Sequence, residues 1–223
     1  MSSPPVVGRG VSENPKNRFE RLELTPDLDE LDHELQTGEK ERPQTFYYKD
    51  SSKSFITYND SPDIGYNASV NPYRGCSHGC VYCYSRQTHE YLGFSAGLDF
   101  ETKIMVKTDA PQLLRKELSA KNWQPQLVGF SGVTDIYQPI EKQLKLTRKC
   151  LEVFLDFRNP VGMVTKNYLI TRDIDLLQEL AKFDCVSVCM SVTTLDEELR
   201  RVMEPRTSSA TKRLEAVTKI ASA

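Results

Sequence analysis

The sequence has no apolar run near the ~20 residues that a bilayer-crossing helix needs. Its longest, at residues 186–192, is far shorter, so no membrane span is expected. The chain also begins without an apolar leader, and its lysine-rich, acid-rich composition suits a cytoplasmic protein whose thiols stay reduced. A strong charge of one sign is missing too: 29 Lys and Arg stand against 31 Asp and Glu, a net −2 that makes no global case for nucleic-acid binding. The balance is uneven, with 7 basic against 11 acidic residues in the first fifty and 22 against 20 in the rest. The last absence is a fourth cysteine: Cys76, Cys80 and Cys83 have no other cysteine within sixty residues on either side.

What is present is the triplet itself, in NPYRGCSHGCVYCYSR, with three residues between the first pair and two between the second. A loop this tight aims three thiolates at one metal centre and supplies no fourth. On a four-iron cluster that leaves one iron open, whereas clusters that only carry electrons are normally closed by four cysteines. The rival is zinc held by the three cysteines with His78 or His89, since zinc accepts sulfur and imidazole in a tetrahedral set. Against it, His78 lies inside the first cysteine interval, where the backbone has little slack to return it to the same ion.

The spacing, with the aromatic Tyr82 before the last cysteine, resembles the signature of the radical S-adenosylmethionine (radical SAM) superfamily. The run CVYCY, which includes Tyr84, and the later segments quoted below are similar to the branch that contains spore photoproduct lyase and its less characterised bacterial relatives. The resemblance implies a four-iron four-sulfur (4Fe-4S) cluster on Cys76, Cys80 and Cys83. It also implies SAM on the free iron, reductive cleavage to a 5′-deoxyadenosyl radical, hydrogen abstraction from a substrate, and an electron donor such as flavodoxin or ferredoxin.

Residues 1–43 carry five prolines, many charges and few aromatics, too little apolar surface to offset the entropy of ordering. A disordered acidic tail is expected there; DLDELDHELQ at 27–36 has only a thin leucine stripe, and His33 reads as a surface residue. Residues 44–67 hold TFYYK and SFITY around a polar break, the pattern of a β-hairpin. Residues 68–223 alternate strands (68–73, 103–107, 127–131, 162–165, 186–191) with helices (110–120, 141–157, 173–183, 196–203, 209–220). That order predicts an α/β fold built on a parallel sheet.

Two strands show one apolar face and one small or polar face: Val186, Val188 and Met190 against Cys185, Ser187, Cys189 and Ser191, and Val128 and Phe130 against Gly129 and Ser131. A sheet covered by helices on both sides would be apolar on both faces. An open, incomplete (β/α) barrel of about four units is therefore expected, with its site at the C-terminal strand ends, where the cysteine loop lands.

The resemblance assigns roles at those ends. In SGVTDIYQPIE it puts Thr134 and Asp135 on the amino or ribose groups of SAM; from the residues alone either is equally a helix cap. Lys166 in TKN corresponds to a lysine associated with the SAM carboxylate, Ser191 to a serine that touches SAM, and Tyr82 belongs to the same cofactor-binding set. In TTLDEELRRVMEPRTSSATKRLEA, Glu204, Pro205 and Arg206 are the most distinctive part, with Arg206 read as an anion ligand or as the partner of Glu204. His89, with Glu90, reads as structural.

Cys189 and Tyr84 are the candidates for the radical step, and Cys150 reads as a core residue. The lyase places its hydrogen-donor cysteine shortly before the SAM-contacting aspartate, where this chain has Gly132, so thymine-dimer repair does not carry over. The resemblance implies about six β/α units where about four are read here, so strands closing the adenosine and substrate side are expected to be missing from this sequence. A non-catalytic iron–sulfur or zinc module, and a nucleic-acid-modifying enzyme, stand as alternatives.

Overall fold

The computed structural model describes residues 8–15 and 43–223. The helix weighed at 27–36 and His33 lie outside these residues. Among the described residues the strands are β1 (Phe46–Lys49), β2 (Thr57–Tyr58), β3 (Ala68–Val70), β4 (Tyr73–Arg74), β5 (Lys103–Val106), β6 (Val128–Phe130), β7 (Val161–Thr165) and β8 (Val186–Met190). The helices are α1 (Leu98–Thr102), α2 (Ala110–Leu118), α3 (Glu141–Leu144), α4 (Leu146–Phe157), α5 (Ile174–Ala181), α6 (Glu197–Met203) and α7 (Ala210–Ala221). Two 3₁₀ segments, Tyr84–Leu92 and Tyr168–Asp173, complete the set.

The main sheet has the order β2-β3-β6-β7-β8, and its last four strands are parallel. Its register explains the two-faced strands. Ser69, Gly129, Gly162 and Ser187 stand in one row across β3, β6, β7 and β8, flanked by the apolar rows Ala68–Val128–Val161–Val186 and Val70–Phe130–Met163–Val188. Successive side chains along a strand point to opposite faces, so the small row lies on one side and the apolar rows on the other. The apolar side packs with α2, α4 and α5, whose Leu114, Leu151, Phe154 and Leu177 are buried with it. Each such leucine or phenylalanine contributes roughly 1.5–3 kcal/mol on burial. On the small side the ring of Tyr66 lies across Gly129, where a Cβ would come within 2.4 Å of it.

Two expectations are corrected. The hairpin at 44–67 does not form: β1 runs parallel to β5, while β2 lies antiparallel on β3. The linking residues are tied elsewhere. Asp50 accepts hydrogen bonds from Ser52 and pairs with Arg74 at 3.1 Å, and the Phe55 and Ile56 amides donate to the Glu117 carboxylate at 3.0 and 2.9 Å, which pins this stretch to α2. The strand at 103–107 does not join the main sheet. As β5 it sits between β1 and β4 in a separate three-stranded sheet.

The helix expected over 141–157 breaks at Lys145, which is left-handed with φ 53°, and the Glu141 carboxylate caps the new start by accepting from the Leu146 amide at 3.0 Å. Two other helices begin on side-chain caps: Asp196 accepts from the Glu198 and Leu199 amides, and Ser209 from the Lys212 amide. Residues 8–15, inside the expected tail, pack on the loop around α1. No helix among the described residues is long and apolar enough to cross a membrane.

Candidate functional site

The cysteine loop follows β4 at the C-terminal end of the parallel strands, and distant partners hold several of its polar groups. The Cys76 amide donates to Phe100 O at 2.9 Å; Gln138 accepts from the Ser77 amide (3.1 Å) and donates to Gly75 O (3.2 Å). Arg86 grips Cys80 O through Nε and Nη2 at 3.1 and 2.9 Å, and the Val81 amide reaches Met203 O at 2.9 Å. Such tethering fixes the backbone before any ligand arrives.

Cys76 is buried, while Cys80 and Cys83 are partly open. Burial raises the Cys76 thiol well above its ordinary value and pushes Cys80 up to about 12, with the positive charge of Lys166 as the main opposing influence on Cys80. Buried thiols of this kind lose their protons when a metal takes them as thiolates. No three His, Cys, Asp or Glu side chains among the described residues are gathered so that they would hold one metal ion. A multi-iron cluster asks for something different, one thiolate on each of three irons, and a donor set of sulfur alone suits it.

The fourth ligand of the zinc reading has no support here. The His78 ring is buried with Nδ1 3.3 Å from Asp135 Oδ2 and Nε2 3.2 Å from Asn167 Nδ2, so both nitrogens already face protein groups. His89 is wholly buried between Phe94 and Phe100, with Nε2 2.9 Å from Lys103 O. Burial lowers its pKa from 6.5 to about 4. Unfolding therefore takes up a proton between those values, and this contribution to stability is complete above pH 6.5 and is lost as pH falls towards 4. Urea midpoints should drop through this window, and His89→Phe should flatten that part of the slope, worth at most about 2 kcal/mol at pH 5.

The strand ends bring the proposed cofactor residues together around the loop, with different accessibilities. Thr134 is buried, its hydroxyl 2.8 Å from Asn71 Oδ1 and 3.1 Å from Tyr73 O. Asp135 accepts from Tyr137 N, Thr165 Oγ1 and Lys166 N at 2.8–2.9 Å while it faces His78. Burial alone would push its carboxyl up; His78 and these bonds overrule it and hold the pKa below the usual range. As placed, Asp135 ties the β7 end to the His78 turn, and Thr134 ties its own segment to Asn71 and Tyr73.

Lys166 is half-buried with its Nζ 5.9 Å from the centre of the Tyr82 ring, and it has no ion-pair partner among the described residues. The Ser191 amide donates to Thr165 O at 2.9 Å, and its carbonyl accepts from Arg213 at 3.0 Å. Tyr84 is exposed and its hydroxyl donates to Gly132 O. Cys189 is exposed on the small face of β8, whereas Cys185, expected on that face, is buried in the core, its thiol 3.1 Å from Arg158 O. Cys150 is a core residue, as its helical spacing implied.

Glu204 does not pair with Arg206. Its carboxylate lies against Arg213 at 2.5 Å and also accepts from Thr193 at 2.6 Å and from the Tyr82 hydroxyl, with Glu204 and Arg213 essentially inaccessible. Arg206 instead donates its amide to His78 O and approaches Thr45 Oγ1 at 3.5 Å. Arg213, Gln138, Asn167 and the buried pair Arg86–Glu101 are the supporting residues that sequence reasoning missed. Gln138 was in view, inside SGVTDIYQPIE, but nothing local marked its partners.

Residues 70–223 match the Radical SAM superfamily. The chain belongs to the radical SAM superfamily. An uncharacterised protein of Mycobacterium tuberculosis is 39% identical over 160 residues, covering 72% of this chain and 47% of the relative. One of Methanocaldococcus jannaschii is 32% identical over 149 residues, covering 66% and 52%. Among solved structures, spore photoproduct lyase aligns with TM-score 0.56 at 20% identity over 79% of this chain and 47% of that one, a likeness of fold. One lyase structure holds bound AdoMet and the dinucleoside spore photoproduct. The chain spans about half the length of these relatives. In this radical SAM protein the loop of Cys76, Cys80 and Cys83 falls within the matched residues, at the C-terminal edge of the parallel strands.

Proposed function

We propose that this protein is a radical SAM enzyme whose parallel strands form part of an open (β/α) barrel. The observation that carries the reading is the loop of Cys76, Cys80 and Cys83 beside Lys166, Tyr82 and Ser191 at the strand ends. Cys76, Cys80 and Cys83 would hold a 4Fe-4S cluster. When bound, that group supplies the electron that splits SAM into methionine and a 5′-deoxyadenosyl radical.

The chain's own residues bind and orient. Lys166 carries a cation into a partly buried site, where it neutralises a carboxylate such as that of SAM. Tyr82, held through its hydroxyl by Thr193 and Glu204, presents a fixed ring beside Lys166. Asp135 and Thr134 serve by fixing the strand ends and the His78 turn, in place of direct contact with SAM. The small row Ser69–Gly129–Gly162–Ser187 lies on the inner face, where the Tyr66 ring packs across Gly129 and where exposed Cys189 also lies.

Anaerobic reconstitution with iron and sulfide should give a brown protein with about four irons per chain. Dithionite and SAM should then yield 5′-deoxyadenosine. A full cluster without that product would assign the protein to non-catalytic iron–sulfur binding, and one colourless zinc per chain would sink the cluster reading itself.

A further inference from the structure

Residues 8–15 precede the cysteine loop by about sixty positions, yet they are built into its underside. The Gly10 amide donates to Glu101 Oε2 at 3.1 Å, and Arg9 donates to Glu101 O, Pro43 O and Thr45 Oγ1 at 3.0, 2.8 and 2.8 Å. Asn14 and Asp99 make a reciprocal pair: Asn14 Nδ2 donates to Asp99 Oδ1 at 3.0 Å, and the Asp99 amide donates to Asn14 Oδ1 at 2.8 Å. The Leu98 amide donates to Glu13 O, and the Ser95 hydroxyl to Pro15 O.

The contact with the loop is closest at Gly10, which lies flat on Gly79, between the first two cysteines. A Cβ there would fall 1.9 Å from Gly79 O, a backbone atom with no freedom to withdraw. Gly79 has φ +68° and itself rests on Glu101, where a Cβ would meet Oε2 at 2.5 Å. Glu101 is fully buried; its other oxygen accepts from Arg86 at 2.6 Å, and Arg86 holds Cys80 O. One chain of contacts thus runs from the arm through Glu101 and Arg86 to the carbonyl of a cysteine.

We infer that residues 8–15 are a clamp that holds the cysteine loop in its ligand-presenting conformation and shields its outer side. The inference rests on the proposed function only for the identity of the metal group. Without the arm, Glu101 Oε2 and the Asp99 carboxylate lose partners, and the Gly79 turn loses the surface it packs on. Arg9, Gly10 and Asn14 act as positioning residues; none touches a cysteine thiol.

The test uses the full chain, wild type beside Gly10→Val and Asn14→Asp, with Asn14→Asp combined with Asp99→Asn as the rescue. Asn14→Asp sets two carboxylates against each other, and the double variant restores a carboxamide–carboxylate pair. Amide hydrogen exchange of the segment 76–83, read in the metal-free protein, should quicken about tenfold in both single variants, the effect of losing one or two hydrogen bonds. It should return towards wild type in the rescue, while segments from β7 and β8 stay unchanged. In reconstituted protein the visible cluster absorption should bleach in air several-fold faster in the single variants.

Wild-type exchange and bleaching in Gly10→Val and Asn14→Asp would overturn the clamp. If Gly10→Val unfolds globally, the Asn14→Asp pair decides: rescue by Asp99→Asn supports the clamp and failure of rescue overturns it. A wild-type protein that takes up no iron would defeat the functional reading, and the metal-free exchange would still decide the clamp.

Discussion

Cys80→Ala, reconstituted anaerobically beside the wild type, is expected to hold less than about a tenth of its iron and to form no 5′-deoxyadenosine. The loop offers three sulfurs and no substitute among the described residues: His78 is held by Asp135 and Asn167, and His89 by Lys103 O. With two thiolates the cluster loses a third of its protein ligands, and the metal's contribution to ordering the site goes with it. The fold itself should survive, because Cys80 lies outside the hydrophobic clusters that hold the sheet and helices together. Far-UV circular dichroism and the urea midpoint of the metal-free variant should match the wild type. Retention of iron at the wild-type level would show that the triplet is not the ligand set.

The second large effect is expected at Glu204. Glu204→Gln leaves the Arg213 guanidinium buried without its carboxylate, and breaking one side of a buried pair costs about 3–5 kcal/mol. Burial by itself would raise the Glu204 carboxyl; hydrogen bonds from Thr193, Tyr82 and Arg213 reverse this and hold its pKa below the ordinary range. The charged form is therefore the one the fold is built around. Urea denaturation at pH 7 should show the loss, and Glu204→Gln combined with Arg213→Met should recover part of it by removing the stranded charge.

The same substitution weakens the hold on Tyr82. In Glu204→Gln its hydroxyl exchanges a charged acceptor for a neutral carboxamide oxygen beside Thr193, so SAM affinity should fall modestly; Tyr82→Phe, which removes the hydroxyl, should lower it further without the penalty of about 3–5 kcal/mol. Unchanged stability in Glu204→Gln would mean that Arg213 is satisfied by the carbonyls of Ser191 and Ser208, with which it also bonds.

Much of this architecture was legible in the sequence because its signals are local. The strands at 127–131, 162–165 and 186–191 alternate with helices whose apolar positions recur at helical spacing, and they form within a few residues of expectation, except that the helix over 141–157 breaks at Lys145. The alternation of small and apolar residues in β6 and β8 foretold a two-faced sheet, and the register aligns Ser69, Gly129, Gly162 and Ser187 in one row. The segment 44–67 misled for a physical reason. TFYYK and SFITY look like two halves of a hairpin, but Asp50 and the Phe55 and Ile56 amides have stronger claims on Arg74 and Glu117 than on each other's strands. Local pattern reports the propensity of a strand and not its partner.

Sequence alone determined the chemistry on offer at the loop and the family to which it points: three thiols within eight residues, an aromatic among them, and no fourth sulfur nearby. That much survives because the ligands share one short segment, whose geometry the covalent chain already restricts. Only the tertiary structure decided what holds the segment in place. The acceptor of the Tyr82 hydroxyl lies 122 residues away at Glu204, the neighbour of the His78 ring 89 residues away at Asn167, and the glycine covering Gly79 is bound to Glu101 across 91 residues. Such contacts follow from packing many elements at once, and no window of sequence contains both partners. The cysteines offer the thiols; Asp135, Glu204 and Gly10 lie in the contacts that tie their loop to distant parts of the fold.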